Sequence, residues 1–320
     1  MKKILLPLIA ATLLFSACTS RNDRDFMKAT QLVKENKIQA ALKIYNEILR
    51  KDPNYTSALV NRALIYEKLG EEKMAAEDYN KALTLMPDQV DLLNNVAAFY
   101  LDQKRPQLAK YYLTKAIETQ PEYTIAYVNR AKANQMLGKL DEAAQDLKLA
   151  FGLEPENLEI ILSKAILDYQ NSYFREALDG YSEVLASRPQ DYRTYYRRGL
   201  TFKKLKAYQN ALNDFNTSIN INNAYIPAIF ARAEMLFSQG DYEAALADLN
   251  ALKSIDNQYA PAYDFSGDIY AIEDPVRAAS NYLVAKQLDP QNTKRYEAKI
   301  KLMASENGRK AVVKKRLERI

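Results

Sequence analysis

The 320-residue chain contains no histidine and no tryptophan, a single cysteine and eight glycines. Without histidine it lacks the commonest general base and the commonest metal ligand. One cysteine permits no internal disulfide. So few glycines leave no glycine-rich loop to cradle a phosphate. Aspartate and glutamate remain as catalytic or Ca2+ groups, but they scatter, with no clustered pair that a solvated helix face does not explain. The composition points away from enzymes and implies neither metal nor cofactor.

What the chain does contain is repetition. Ala41, Ala75, Ala109, Ala143, Ala177, Ala211 and Ala245 are spaced 34 residues apart, and Ala278 follows 33 later. A second small column holds Ala29, Ala63, Ala97, Ala131, Ala165, Gly199, Ala233 and Gly267. A third holds Pro53, Pro87, Pro121, Pro155 and Pro189, then Asn223, Asn257 and Pro290. One unit is therefore written eight times. In the second unit Leu59, Ala63 and Tyr66 recur at helical spacing until Gly70 stops the helix; Ala75, Tyr79 and Ala82 mark a second helix that ends before Pro87. Where two antiparallel helices cross closely, only small side chains fit between the backbones. A bulky column (Tyr45, Tyr79, Leu113, Leu147, Tyr181, Phe215, Leu249, Tyr282) fills the space beside them. Such a pair cannot bury its apolar face alone, so units stack and share a core.

The period and the order of columns resemble the tetratricopeptide repeat, with residues 58–87 a close match. The resemblance implies an all-α, right-handed solenoid of eight helix-turn-helix repeats (22–55, 56–89, 90–123, 124–157, 158–191, 192–225, 226–259 and 260–292) followed by capping helices at 293–320. Two departures stand out. Asn134 and Asp168 interrupt a column of large residues, and the last unit is one residue short near Asp274 and Pro275.

At the N-terminus Lys2 and Lys3 precede an apolar stretch, Ile4 to Phe15, which is too short to span a bilayer and has the form of a secretory signal. It ends Phe15-Ser16-Ala17-Cys18, which resembles a bacterial lipobox, with Phe15 where leucine is usual. The resemblance implies a signal peptide over 1–17, acyl chains such as palmitate on Cys18, and a short tether over 18–24. The absence of an acid directly after Cys18 points, by the same resemblance, to the outer membrane facing the periplasm. An ordinary signal peptide, or an uncleaved anchor with an incidental cysteine, is the other reading.

Charge is unevenly spread. Thr293 to Ile320 holds 10 Lys/Arg against 3 Asp/Glu, while the body before it is slightly acidic. Behind a secretion signal this does not describe a nucleic-acid binder. Tyr296, Ile300 and Met303 form one apolar stripe, suited to covering the open end of a solenoid. Gly308 is expected to break the chain, and Val313, Leu317 and Ile320 form a second stripe, read as a further cap or as a membrane- or partner-binding helix.

The first helix of each unit is expected to line the inner groove. Units two to four place Asn61, Asn95 and Asn129 there, one per repeat; a row of amides can donate to and accept from an extended peptide backbone. Units five to eight turn apolar and aromatic, with Leu162, Ile166, Tyr169, Tyr196, Leu200, Phe230, Phe237 and Phe265, edged by Arg193, Arg197 and Lys204. Aromatics and arginine are what interface hot spots favour. Arg193 and Arg197 fit the basic places of a chaperone-tail carboxylate clamp, but Val128, Lys132 and Ser163 do not fit the rest, so that reading is set aside. A soft segment is expected at 150–185, where Gly152 and Gly180 fall inside helices and Lys164 lies one turn before Asp168. The resulting expectation is a membrane-tethered envelope adaptor that holds a protein or extended peptide. The alternatives are a self-assembling subunit of an outer-membrane assembly, secretion or pilus complex, and a binder of a small ligand or glycan. The sequence leaves the oligomeric state open.

Overall fold

The computed structural model describes residues 20–320, and Cys18 and the signal stretch lie outside them. Among the described residues there are eighteen α-helices and no strand. Sixteen of them form consecutive pairs, each with a leading and a trailing helix. The pairs are α1 (Arg21–Lys34) with α2 (Ile38–Lys51), α3 (Thr56–Leu69) with α4 (Glu72–Leu85), α5 (Val90–Asp102) with α6 (Pro106–Thr119), and α7 (Thr124–Met136) followed by α8 (Leu140–Leu153). Then come α9 (Leu158–Gln170) with α10 (Phe174–Ser187), α11 (Tyr192–Lys204) with α12 (Tyr208–Ile221), α13 (Ile226–Ser238) with α14 (Tyr242–Ile255), and α15 (Ala260–Tyr270) with α16 (Pro275–Leu288). Two tail helices follow, α17 (Thr293–Leu302) and α18 (Glu306–Leu317). The chain divides into two compact units between Lys139 and Leu140, ahead of the 150–185 segment. Among the described residues no helix is long and apolar enough to cross a membrane.

The small columns are buried without exception: Ala29, Ala63 and Ala97, and likewise Ala41, Ala75 and Ala109, are fully enclosed. Gly199 and Gly267 replace alanine where an aromatic ring of the trailing helix presses on the backbone. A Cβ on Gly199 would stand 2.7 Å from the Phe215 ring, and one on Gly267 would strike Tyr282.

The turns inside the repeats share one backbone solution. Asn36, Gly70, Lys104, Gly138, Ser172, Lys206 and Gly240 occupy a single column, and all seven have φ between 57° and 83°. Only three are glycine, the residue that adopts this region without steric cost. The eighth repeat lacks a residue here and enters α16 through Asp274 at φ −129°, whose carboxylate accepts from the Arg277 N–H.

The two glycines expected to weaken trailing helices differ in kind. Gly152 has open space around it. Gly180 is where α10 meets α9, and a Cβ there would sit 2.8 Å from the Ala165 Cβ. It is a packing glycine rather than a weak point. Asp168 does pair with Lys164, at 2.8 Å.

Candidate partner-binding face

In the compact unit that ends at Lys139 the three asparagines do not form a uniform open row. The Asn61 side-chain N–H donates to the Tyr45 hydroxyl (3.3 Å), and that of Asn129 donates to the Asn94 side-chain oxygen (2.8 Å). Asn95 is 8% exposed, and its amide nitrogen is enclosed without a partner. Packing of α5 rather than ligand access sets its place, so Asn95 leaves the candidate set.

In the compact unit that begins at Leu140 the leading helices carry the aromatic and basic residues, which gather into three clusters. Leu162, Ile166 and Tyr169 pack over Ala165, Ala177 and Tyr181. Tyr196 and Leu200 pack over Ala211 and Phe215. Phe230, Phe237 and Phe265 belong to a third cluster around α13 and α15. The middle cluster, half-buried like the first, sets cations beside its rings. Tyr196 meets Tyr225 edge-on at 5.5 Å, Tyr225 meets Tyr192 at 4.8 Å, and the Arg193 guanidinium lies 5.2 Å from the Tyr192 ring centre. Burial, aided by the neighbouring Tyr225 and Glu234, pushes the Tyr196 hydroxyl up to about 12, so it stays a donor at neutral pH.

The cations on α11 fall into two groups. Arg198 grips Asp214 with two bonds of 2.8 Å, and Lys203 reaches Glu234 at 3.2 Å. Arg193, Arg197 and Lys204 have no carboxylate within ion-pairing distance among the described residues. Arg193 and Lys204 are exposed and Arg197 is half-buried.

Phe237 and Phe265 do not belong to an exposed floor. They are 1% and 0% exposed. Their rings pack on each other at 5.3 Å, and the Arg316 guanidinium covers Phe265 at 4.5 Å. The cover is α18. Gly308 does not break the chain as expected; it lies in the first turn of α18, where its N–H donates to the Ser305 hydroxyl (3.1 Å), and the break falls at Met303–Ser305. The buried stripe is accordingly Val312 and Arg316, with Val313 and Ile320 packed at the margin and Leu317 44% exposed. α17 behaves as the sequence suggests: Tyr296 and Met303 are buried and Ile300 packs beside Tyr282.

Arg316 enters a charged cluster that the sequence reading missed. Its Nε donates to Asp268 (2.6 Å) and its Nη2 to Asp264 (2.8 Å). Lys299 Nζ lies 2.6 Å from each carboxylate, Arg295 reaches Asp264, and the Tyr282 hydroxyl donates to Asp268 (2.8 Å). The available signal was an acid pair one turn apart on α15, with the basic tail about 30 to 50 residues downstream.

A second missed pattern is structural. Arg62 pairs bidentately with Asp78, Arg198 with Asp214 and Arg232 with Asp248, each arginine on a leading helix and each aspartate on the trailing helix of its own repeat. The remaining N–H of each reaches back to the preceding trailing helix, at Asn46, Ser182 or Asn216. In the eighth repeat Ser266 and Asn281 stand in these columns, and Lys253 supplies the cation from α14. Its Nζ lies 2.7 Å from Ser266 Oγ and 3.2 Å from Asn281 Oδ1, and burial lowers the amine to about 8.

Comparison with known proteins agrees with this architecture. Models described as tetratricopeptide repeat match residues 26–90, 125–157 and 192–225. Tetratricopeptide repeat protein 6 of Homo sapiens is 26% identical over 218 residues, covering 66% of this chain and 42% of its own. The Hsp70-Hsp90 organizing protein of Triticum aestivum is 24% identical, covering 66% and 37%. The chain thus spans about two fifths of the length of these relatives. A tetratricopeptide repeat protein from Parabacteroides merdae superposes with a TM-score of 0.63 at 18% identity, over 77% of this chain and 97% of that one. PilW, a type IV pilus biogenesis factor, superposes with 0.59 at 21% identity, over 65% and 97%. Repeats of this kind mediate protein–protein interaction, and this chain carries tetratricopeptide repeats in the fold of a tetratricopeptide repeat protein.

Proposed function

We propose that the protein is a non-catalytic adaptor of the bacterial cell envelope, held by lipid on Cys18 at the outer membrane facing the periplasm. It binds a protein segment on the α9–α11–α13 face. One observation carries the binding half of this reading. The chain neutralises Arg198 with Asp214 and Arg232 with Asp248, yet leaves Arg193 and Arg197 beside Tyr192 and Tyr225, and Lys204 at the far end of α11, without acid partners. Unpaired guanidinium groups among rings suit a segment that brings carboxylates and apolar side chains. The pilus biogenesis factors with similar folds, PilW and the pilF protein of Pseudomonas aeruginosa, lend the envelope setting some support. The sequence Phe15-Ser16-Ala17-Cys18 supports the anchor.

Crosslinking in native envelopes followed by mass spectrometry tests the reading. Tyr196→Ala should weaken the recovered complex by about 2 kcal/mol, roughly thirtyfold, without lowering the melting temperature enough to unfold the protein. Unchanged partner recovery from the folded Tyr196→Ala and Arg197→Ala variants would reject this face. Cys18→Ala should release the chain from membranes and abolish palmitate labelling; retention of both would reject the anchor.

A further inference from the structure

The last leading helix is covered in a way the others are not. On α15, Asp264 and Asp268 are 3% and 1% exposed. A carboxylate at that depth loses most of its hydration, so the seat demands cations. α15 has none of its own. They arrive from the tail: Lys299 on α17 bridges both acids, and Arg316 on α18 adds one bond to each.

These two supports are unequal. α17 buries Tyr296 and is joined to α16 through the short Pro290–Asn292 turn. α18 contributes little apolar surface, since Val312 is buried, Val313 and Ile320 are only partly covered, and Leu317 faces outward. Its polar hold on α15 rests on Arg316, beside the marginal packing of Val313 and Ile320. A buried ion pair recovers roughly what its desolvation costs, so the helix is seated with little surplus free energy. The site beneath it is nonetheless selective. Two carboxylates aligned with Nε and Nη2, and an aromatic face 4.5 Å below the guanidinium, fit arginine and do not fit a lysine ammonium equally well.

We propose that the Asp264–Asp268–Phe265 surface is a docking site for an arginine-bearing basic helix of a partner protein, and that α18 is the resident occupant which this helix displaces. The register of α18 defines what fits: two small aliphatic residues, an arginine three and four positions later, and a further aliphatic residue one turn on, as in Val312, Val313, Arg316 and Ile320. The site is distinct from the cationic α11 face, and its chemistry is the opposite.

The test uses the full-length chain and a labelled peptide of residues 306–320. Arg316→Glu sets an acid against two aspartates and lifts α18. This variant should bind the peptide, whereas the unaltered chain, whose site is filled, should bind it at least about tenfold more weakly. A peptide carrying Arg316→Ala should lose at least about thirtyfold in affinity, because it leaves both carboxylates without their partner. Circular dichroism melting establishes that the variant is folded; if Arg316→Glu does not fold, Arg316→Gln replaces it. A folded variant that takes no peptide, or takes both peptides equally, would overturn the proposal. So would light scattering that shows a dimer of the unaltered chain abolished by Arg316→Glu, since a second copy would then be the occupant.

Discussion

Glu67 offers a test of how the interior handles charge. It lies near the end of α3, largely enclosed, and accepts a hydrogen bond from the Tyr79 hydroxyl on α4. Burial raises its carboxyl from 4.5 to about 7; the Tyr79 bond opposes this and the charge of Asp102 adds to it. The folded chain therefore keeps this proton up to about pH 7, while the unfolded chain gives it up near 4.5. Unfolding releases a proton between those values, so the contribution of Glu67 to stability falls as pH rises through the window and is level above it. The difference between these two values corresponds to about 3 kcal/mol at pH 8, and to about 1 kcal/mol at pH 5. Glutamine keeps the acceptor for Tyr79 and carries no charge. Glu67→Gln should thus stabilise the protein by up to about 3 kcal/mol at pH 8, with most of the gain gone at pH 5. Urea unfolding at both values, followed by circular dichroism or tyrosine fluorescence in a chain without tryptophan, measures the difference. A gain independent of pH, or a loss at pH 8, would refute the reasoning.

The two helix glycines should respond in opposite directions to alanine. Gly152→Ala, with free space for its methyl group, should stabilise by about 0.5–1 kcal/mol, and Gly180→Ala, pressed onto Ala165, should destabilise by about 1–3 kcal/mol, both read from thermal melts. Asp214→Asn removes the bidentate partner of the partly buried Arg198 and should cost about 1–3 kcal/mol; a melt unchanged by this substitution would show that the pair is incidental.

The repeat architecture was legible because packing and punctuation recur. Alanine at the helix crossings and proline after the trailing helices each report a local steric demand, and eight copies remove the ambiguity of one. The turn conformation was not legible. Lys104, Ser172 and Lys206 take positive φ although their side chains disfavour it, because the helices on either side dictate the path. The candidate site was half legible. Helical register shows which way Phe237 and Phe265 point, but not that α18 returns to cover them. That return depends on Arg316 meeting acids 48 and 52 residues earlier, a separation that no periodic pattern signals. Gly308 misled for a related reason. Its role is the close approach of its backbone to the Leu302 carbonyl, where a Cβ would not fit, and this is visible only once the tail has folded back.

The arginine–aspartate couples carry a consequence for how such chains diversify. Arg62, Arg130, Arg198 and Arg232 are matched sixteen positions on by Asp78, Asp146, Asp214 and Asp248, whereas Val96 is matched by Tyr112 and Lys164 by Gly180. Grafting α11 in front of α6 would strand the guanidinium of Arg198 against the tyrosine ring of Tyr112. Recombination therefore costs less when its seams fall between whole pairs, where only the single bond to the preceding helix changes, than when they fall within one, so the heritable brick is the helix couple with its own counterion.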